Sequence, residues 1–211
     1  MLKALFYPDV PFESLFIPYI YKEIYLEGVY LDIVNKREDM VIVDVGSNIG
    51  VTVQYFRDHA KTVYAIEPSK EHFEALKKNI EYNSWDNVKA FNLAVADKDG
   101  KMTLNRNNNN RTCHSLTLNY GQGGEEVETM RFDTFIKKNK INKVDFMKFD
   151  VEGAEDLILR GEGFKNVVDK VSSIMVEFHF PTWPKLVEYM MSLGYKAKKY
   201  DSSAVIVLFH K

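Results

Sequence analysis

One cysteine, Cys113, is all that 211 residues hold. A single thiol excludes an internal disulfide and a cysteine cluster for zinc, and beside an asparagine-rich stretch it reads as a bystander rather than a nucleophile. Long apolar runs are missing as well. No stretch reaches the roughly 18–20 residues of a membrane-spanning helix. The opening MLKALFYPDVPFESLF has no basic stretch leading into an unbroken apolar one, so a cytoplasmic protein without a membrane span is expected. Nor is positive charge in excess: 28 Lys and Arg stand against 30 Asp and Glu, a formal charge of −2. That balance offers no general attraction to a phosphate backbone and disfavours nucleic acid as a partner.

What is present is an ordinary globular composition, 45% hydrophobic and 27% charged, in a length that suits one domain with a continuous core. Segment 41–45 (VIVDV) is a short β-branched run ended by Gly46, the pattern of a buried parallel strand. Helical spacing follows over 49–57, a second strand over 62–66, a helix over 70–83 with Ser69 as its N-cap, and a third strand over 88–93. Strand–helix–strand–helix–strand with short connections is half of a doubly wound sheet. Asp99-Gly100 marks a turn between short strands, and 105–124 reads as a long surface excursion, the kind of loop that often serves as a lid. The sheet resumes at 144–150 and 171–178, with helices over 154–160 and 184–193. It closes with an antiparallel hairpin of 195–200 and 204–209 around Asp201, Ser202 and Ser203. Residues 1–40 differ in character, crowding Phe6, Tyr7, Phe12, Phe16, Tyr19, Tyr21, Tyr25 and Tyr30 together. They read as a helical arm on the single domain 41–211, covering the sheet or a ligand mouth, with plain packing as the alternative.

The turn Asp44-Val45-Gly46-Ser47-Asn48-Ile49-Gly50 puts two glycines where the backbone bends and approaches a ligand, with free amides at the following helix start. Its spacing is G-x-x-x-G, not the G-x-G-x-x-G of dinucleotide folds. That counts against a nicotinamide-dependent oxidoreductase and suits a nucleoside bearing an amino acid. Glu67, about twenty residues on, ends the second strand where an acid accepts hydrogen bonds from ribose hydroxyls. Its plainer reading is an acid near a helix N-terminus.

These residues, with Glu23-Ile24-Tyr25, Gly28-Val29-Tyr30, Ile66-Glu67-Pro68, Asn92-Leu93-Ala94-Val95, Asp97-Lys98-Asp99-Gly100 and Arg131-Phe132-Asp133-Thr134-Phe135, resemble the FkbM-type methyltransferases, a family of class I S-adenosylmethionine-dependent enzymes. Met147-Lys148-Phe149-Asp150-Val151-Glu152-Gly153-Ala154-Glu155 is similar to the family's K-x-D-x-E-G-x-E signature, and Val176-Glu177-Phe178-His179 completes the set. The excursion 105–124 departs from the family. The resemblance implies an α/β, Rossmann-like class I methyltransferase fold: a seven-stranded, mostly parallel sheet with an antiparallel last strand and helices on both faces. It implies S-adenosyl-L-methionine as cofactor and S-adenosyl-L-homocysteine as product. Asp44, Gly46, Ser47, Asn48 and Gly50 would form the turn against the methionine part and ribose, and Glu67 would hold the ribose hydroxyls. Pro68 and Ser69 would meet the adenosine edge, Asn92 and Ala94 the adenine, and Asp150 the methionine end and the acceptor.

Methyl transfer from a sulfonium is an in-line displacement, and a hydroxyl acceptor must lose its proton as the bond forms. Asp150, Glu152 and His179 are the catalytic candidates, with Asp150 orienting the acceptor and His179 as proton acceptor because imidazole titrates near neutrality. Glu152 reads equally as a helix cap. Magnesium on Asp150 and its neighbours is left open, the set being incomplete, and no metal ligand is assigned. The expected acceptor is a small molecule, a hydroxyl of a sugar-containing or other metabolite. The alternatives are a non-catalytic cofactor-binding module and an RNA methyltransferase, for which Lys196, Lys198 and Lys199 make a thin basic face. Strand alternation further predicts an ion pair between Lys148 and Glu177 beneath the site.

Overall fold

A computed structural model of the chain describes residues 22, 24, 28, 30–34, 39–107, 109, 113–181, 183–200 and 205–211. Of the sequence expectations, Phe6 to Tyr21 and Tyr25 of the aromatic arm, Glu23, Val29, and the hairpin residues Asp201, Ser202 and Ser203 lie outside the described residues.

The strands are β1 (Met40–Val45), β2 (Ala60–Ile66), β3 (Val88–Phe91), β4 (Ala94–Ala96), β5 (Gly100–Asn105), β6 (Gly124–Arg131), β7 (Val144–Phe149), β8 (Val171–Phe178), β9 (Lys196–Tyr200) and β10 (Val205–His210). The helices are α1 (Leu31–Val34), α2 (Val51–Arg57), α3 (Lys70–Tyr82), α4 (Phe132–Lys138), α5 (Glu155–Leu159), α6 (Glu162–Lys165) and α7 (Trp183–Ser192). Seven strands form one sheet in the order β3-β2-β1-β7-β8-β10-β9. All pairings are parallel except those of β10, which runs against both β8 and β9. This is the class I methyltransferase arrangement that the sequence led us to expect.

The central strands are buried on both faces, which is why their sequences run nearly unbroken in apolar residues. Every residue of β7 is buried. On one face Val43, Val45, Met147 and Phe149 pack against Phe132, Phe135, Ile158 and Met190 of the helices α4, α5 and α7. On the other, Ile42 and Phe146 meet Val53 and Phe56 of α2, Leu76 of α3, and Ile24, Tyr30 and Val34 from the start of the chain.

Two local expectations need correction. The strand read as 88–93 stops at Phe91, because β2 has no residue beyond Ile66 to pair with it. The Asn92 amide then clips the crossing by donating to the carbonyls of Glu67 and Pro68 at 3.0 and 2.9 Å. The chain leaves the main sheet, and β4 joins β6 and β5 in a separate small sheet of order β4-β6-β5. The second correction is at α2, which starts at Val51 rather than residue 49, since Asn48 (φ 49°) and Gly50 (φ 97°) are left-handed.

Candidate active site

The C-terminal ends of β1, β2, β7 and β8 meet at a cavity of about 340 Å³, where ligands bind in open α/β sheets. Its lining includes Gly46, Ser47, Asn48, Glu67, Pro68, Ala94, Asp150, Glu152 and His179, so most of the sequence-nominated residues are brought together.

At one end, the turn after β1 is built by close approach. A Cβ on Gly46 would lie 1.8 Å from the Asp150 carbonyl oxygen, so this φ 82° position has no room for a side chain. The Asn48 amide donates to Glu67 Oε2 and the Ser69 amide to Glu67 Oε1, each at 2.8 Å, which fixes the buried Glu67 carboxylate in the cavity wall. Ser47 is spent on the fold: its hydroxyl donates to the Asp44 carbonyl at 2.8 Å and accepts the Ile66 amide at 3.0 Å.

Four nominated residues stand behind the wall. Asp44 is fully buried and accepts from the Thr52 hydroxyl; burial raises its pKa against the opposing pull of Lys148. Gly50 serves packing, since a Cβ there would meet Leu76 at 2.7 Å. Ser69 occupies the N-cap of α3 without a side-chain capping bond, and Asn92 is the clip described above.

At the other end stands an acidic cluster around one imidazole. His179 Nδ1 lies 2.8 Å from Oε1 of buried Glu155. Its Nε2 faces Glu152 at 3.4 Å, Asp150 at 3.8 Å and Glu177 at 3.9 Å. Burial works against the charged ring, but the Glu155 bond and the carboxylates of Glu152 and Asp150 outweigh it and push the His179 pKa up to about 9. That lies above the near-neutral value expected of His179 from the sequence, since Glu155, Glu152 and Asp150 all favour the charged ring. Burial, then the neighbouring Asp150 charge, raises Glu152 to about 7, with His179 opposing. Asp150, Glu152 and His179 each present a ligand atom within 4.8 Å of the others, the grouping among the described residues with room for a metal ion. With His179 protonated, the imidazolium itself supplies countercharge there.

Lys148 does not pair with Glu177 as strand alternation suggested. Register decides this: β7 sets Lys148 directly beside Asp44 of β1, and beside Met175, not Glu177, of β8. Its ammonium lies 3.1 Å from Asp150 Oδ2, 3.3 Å from the Gly46 carbonyl and 3.7 Å from Asp44 Oδ1. Burial lowers its pKa, yet the Asp150 and Asp44 charges win and hold it above the ordinary value. Asp150 Oδ1 is buried with no hydrogen-bond partner.

The lining residues that the sequence reading did not nominate include His72, His114 and Cys113. His72 and His114 stack with ring centroids 5.1 Å apart beside Glu67, and Cys113 hydrogen-bonds Glu152. His72 sits one turn into the helix after Glu67 and was legible by proximity. Cys113 and His114 belong to the excursion 105–124, whose return to the site no local pattern announces.

Residues 44–197 match the family model described as the methyltransferase FkbM domain. Methyltransferase 1 of Beauveria bassiana is 26% identical over 189 residues, covering 79% of this chain and 75% of its own. The hexuronic acid methyltransferase AglP of Haloferax volcanii is 28% identical over 158 residues, covering 74% of this chain, which spans only 63% of AglP. The crystal structure of methyltransferase FkbM from Methylobacillus flagellatus superposes with a TM-score of 0.65 at 14% identity, over 99% of this chain and 57% of that one. At that identity the likeness is one of fold.

Proposed function

The chain belongs to the FkbM methyltransferase family, and from that premise we propose that it uses S-adenosylmethionine to methylate an oxygen, a hydroxyl of a sugar-containing or similar small metabolite. The observation that carries this reading is one cavity bordered by both the Glu67 turn and the Asp150, Glu152 and His179 cluster.

The residues fit that cofactor. Ile66, Leu93 and Ala94 give the cavity an apolar wall suited to a purine. Glu67 accepts two backbone amides and keeps lone pairs for ribose hydroxyls. Asp150 Oδ1, buried and without a hydrogen-bond partner, supplies negative potential for a sulfonium or ammonium group. When bound, S-adenosylmethionine supplies a methyl that passes in line to the attacking oxygen.

Asp150, held by Lys148, orients the acceptor hydroxyl. Glu152 takes its proton, since a base raised to about 7 is matched to neutral operation. His179, protonated and anchored by Glu155, steadies the negative charge of Asp150 and Glu152 rather than accepting a proton. The name of AglP, a hexuronic acid methyltransferase, supports a sugar-derived acceptor. The carboxylates at this end repel phosphates, which supports a small molecule over nucleic acid.

Calorimetry with S-adenosylhomocysteine and a screen of sugar acceptors with methyl-labelled cofactor test the reading. Transfer to a hydroxyl is expected, and Asp150→Asn should lower turnover by about 10²-fold with a much smaller change in cofactor affinity. Cofactor binding with no transfer to any hydroxyl, or full turnover by Asp150→Asn, would overturn it.

A further inference from the structure

The excursion 105–124 has the length of a lid, but its middle is bonded into the floor of the site. Ser115 is fully buried. Its backbone pairs both ways with Asn105, at 2.8 and 3.1 Å. Its hydroxyl donates to the Glu152 carbonyl at 2.5 Å and accepts the amides of Thr117 and Leu118 at 3.2 and 3.0 Å. Two residues on, the Thr117 hydroxyl donates to the Gly153 carbonyl at 3.0 Å, while two residues back Cys113 meets the Glu152 side chain rather than its backbone. Ser115 and Thr117 thus bond the two successive carbonyls of one two-residue turn.

That turn needs holding. Glu152 is left-handed at φ 51°, a conformation that residues with a side chain rarely adopt, and Gly153 follows at φ 102°. A Cβ on Gly153 would lie 2.6 Å from the Phe180 ring, so the turn cannot relax toward that side. A carboxylate carried on such a turn points where its backbone is fixed, and misplacing a reacting group by about 1 Å can cost 10²-fold in rate.

We infer that Ser115 is a positioning residue: with Thr117 it forms a strut that locks the Glu152–Gly153 turn and so aims the Glu152 carboxylate at the acceptor. The role assigned to Glu152 rests on the proposed function; the holding of its turn does not.

The test has one readout that needs no acceptor and one that does. In the full chain, the Glu152 carboxyl is followed by carbon NMR, assigned with Glu152→Gln, through a pH titration with and without S-adenosylhomocysteine. Ser115→Ala should move the midpoint from near 7 toward the ordinary glutamate range and lower kcat by about tenfold to a hundredfold. Cofactor affinity should stay within about twofold. Thr117→Val, at an exposed position that keeps its shape, should do the same to a smaller degree and serves if Ser115→Ala does not fold. Val127→Ala loosens the same small sheet without touching the turn and should change neither readout. A wild-type titration in Ser115→Ala, or Val127→Ala reproducing its effects, would sink the strut. If the midpoint moves as expected while no hydroxyl acceptor is ever methylated, the strut stands and the proposed function fails.

Discussion

At the scale of single residues, chemistry here is decided by how many charges each side chain sees. Glu152 should produce a limb in the rate profile. As an acid that works deprotonated, it makes kcat rise with pH through about 7. Glu152→Gln should remove that limb and lower turnover by about 10²-fold, which a pH–rate series with labelled cofactor measures. His179 should leave its mark on stability instead. Its folded pKa, about 9, lies above the ordinary 6.5. Its contribution is therefore fully present below pH 6.5 and lost as pH rises through 9. A shift of this size corresponds to roughly 3 kcal/mol. Urea unfolding across that range should show the decline in the wild type and a flatter profile in His179→Asn; equal profiles would mean that the acids do not hold the ring protonated.

Among elements, the informative contact is between β1 and β7, where the sheet register places Asp44 opposite Lys148. Lys148 joins the end of β7 to the glycine turn by way of Asp44, Asp150 and the Gly46 carbonyl. Lys148→Met would leave two carboxylates near each other, one of them fully buried, at an expected cost of about 3–5 kcal/mol. Adding Asp44→Asn should recover part of that loss. Denaturant midpoints for the two single variants and the double variant check this, and simple additivity would show that the pair does not interact. The small β4-β6-β5 sheet has a separate consequence, because it carries the strand from which 105–124 departs and the strand to which it returns.

Taken whole, the described residues pack against the two faces of one main sheet. Ile24, Tyr30 and Val34 lie in the same core as Phe56 and Phe146, with the Tyr30 ring 5.0 Å from Phe56 and 6.1 Å from Phe146. Ile24 and Tyr30 also line the cavity. Tyr30→Ala should cost about 3–5 kcal/mol, as for other buried aromatics, and should weaken S-adenosylhomocysteine binding, both readable in one thermal-shift series with and without ligand. How much of this was legible beforehand follows from what each feature depends on. The buried strands, the helices between them and the Gly46 turn are encoded by side-chain periodicity and local backbone sterics within a few residues, so the sequence by itself determined the doubly wound fold and the family. It also nominated Asp150, Glu152 and His179. The acids around His179, the partners of Lys148, the packing contacts of Asn92 and Gly50, and the return of Ser115 to Glu152 were decided only by tertiary structure. Each of these is a sum over residues distant in sequence: strand register chooses which charges face each other, and the field at one imidazole depends on four carboxylates that no local pattern brings together.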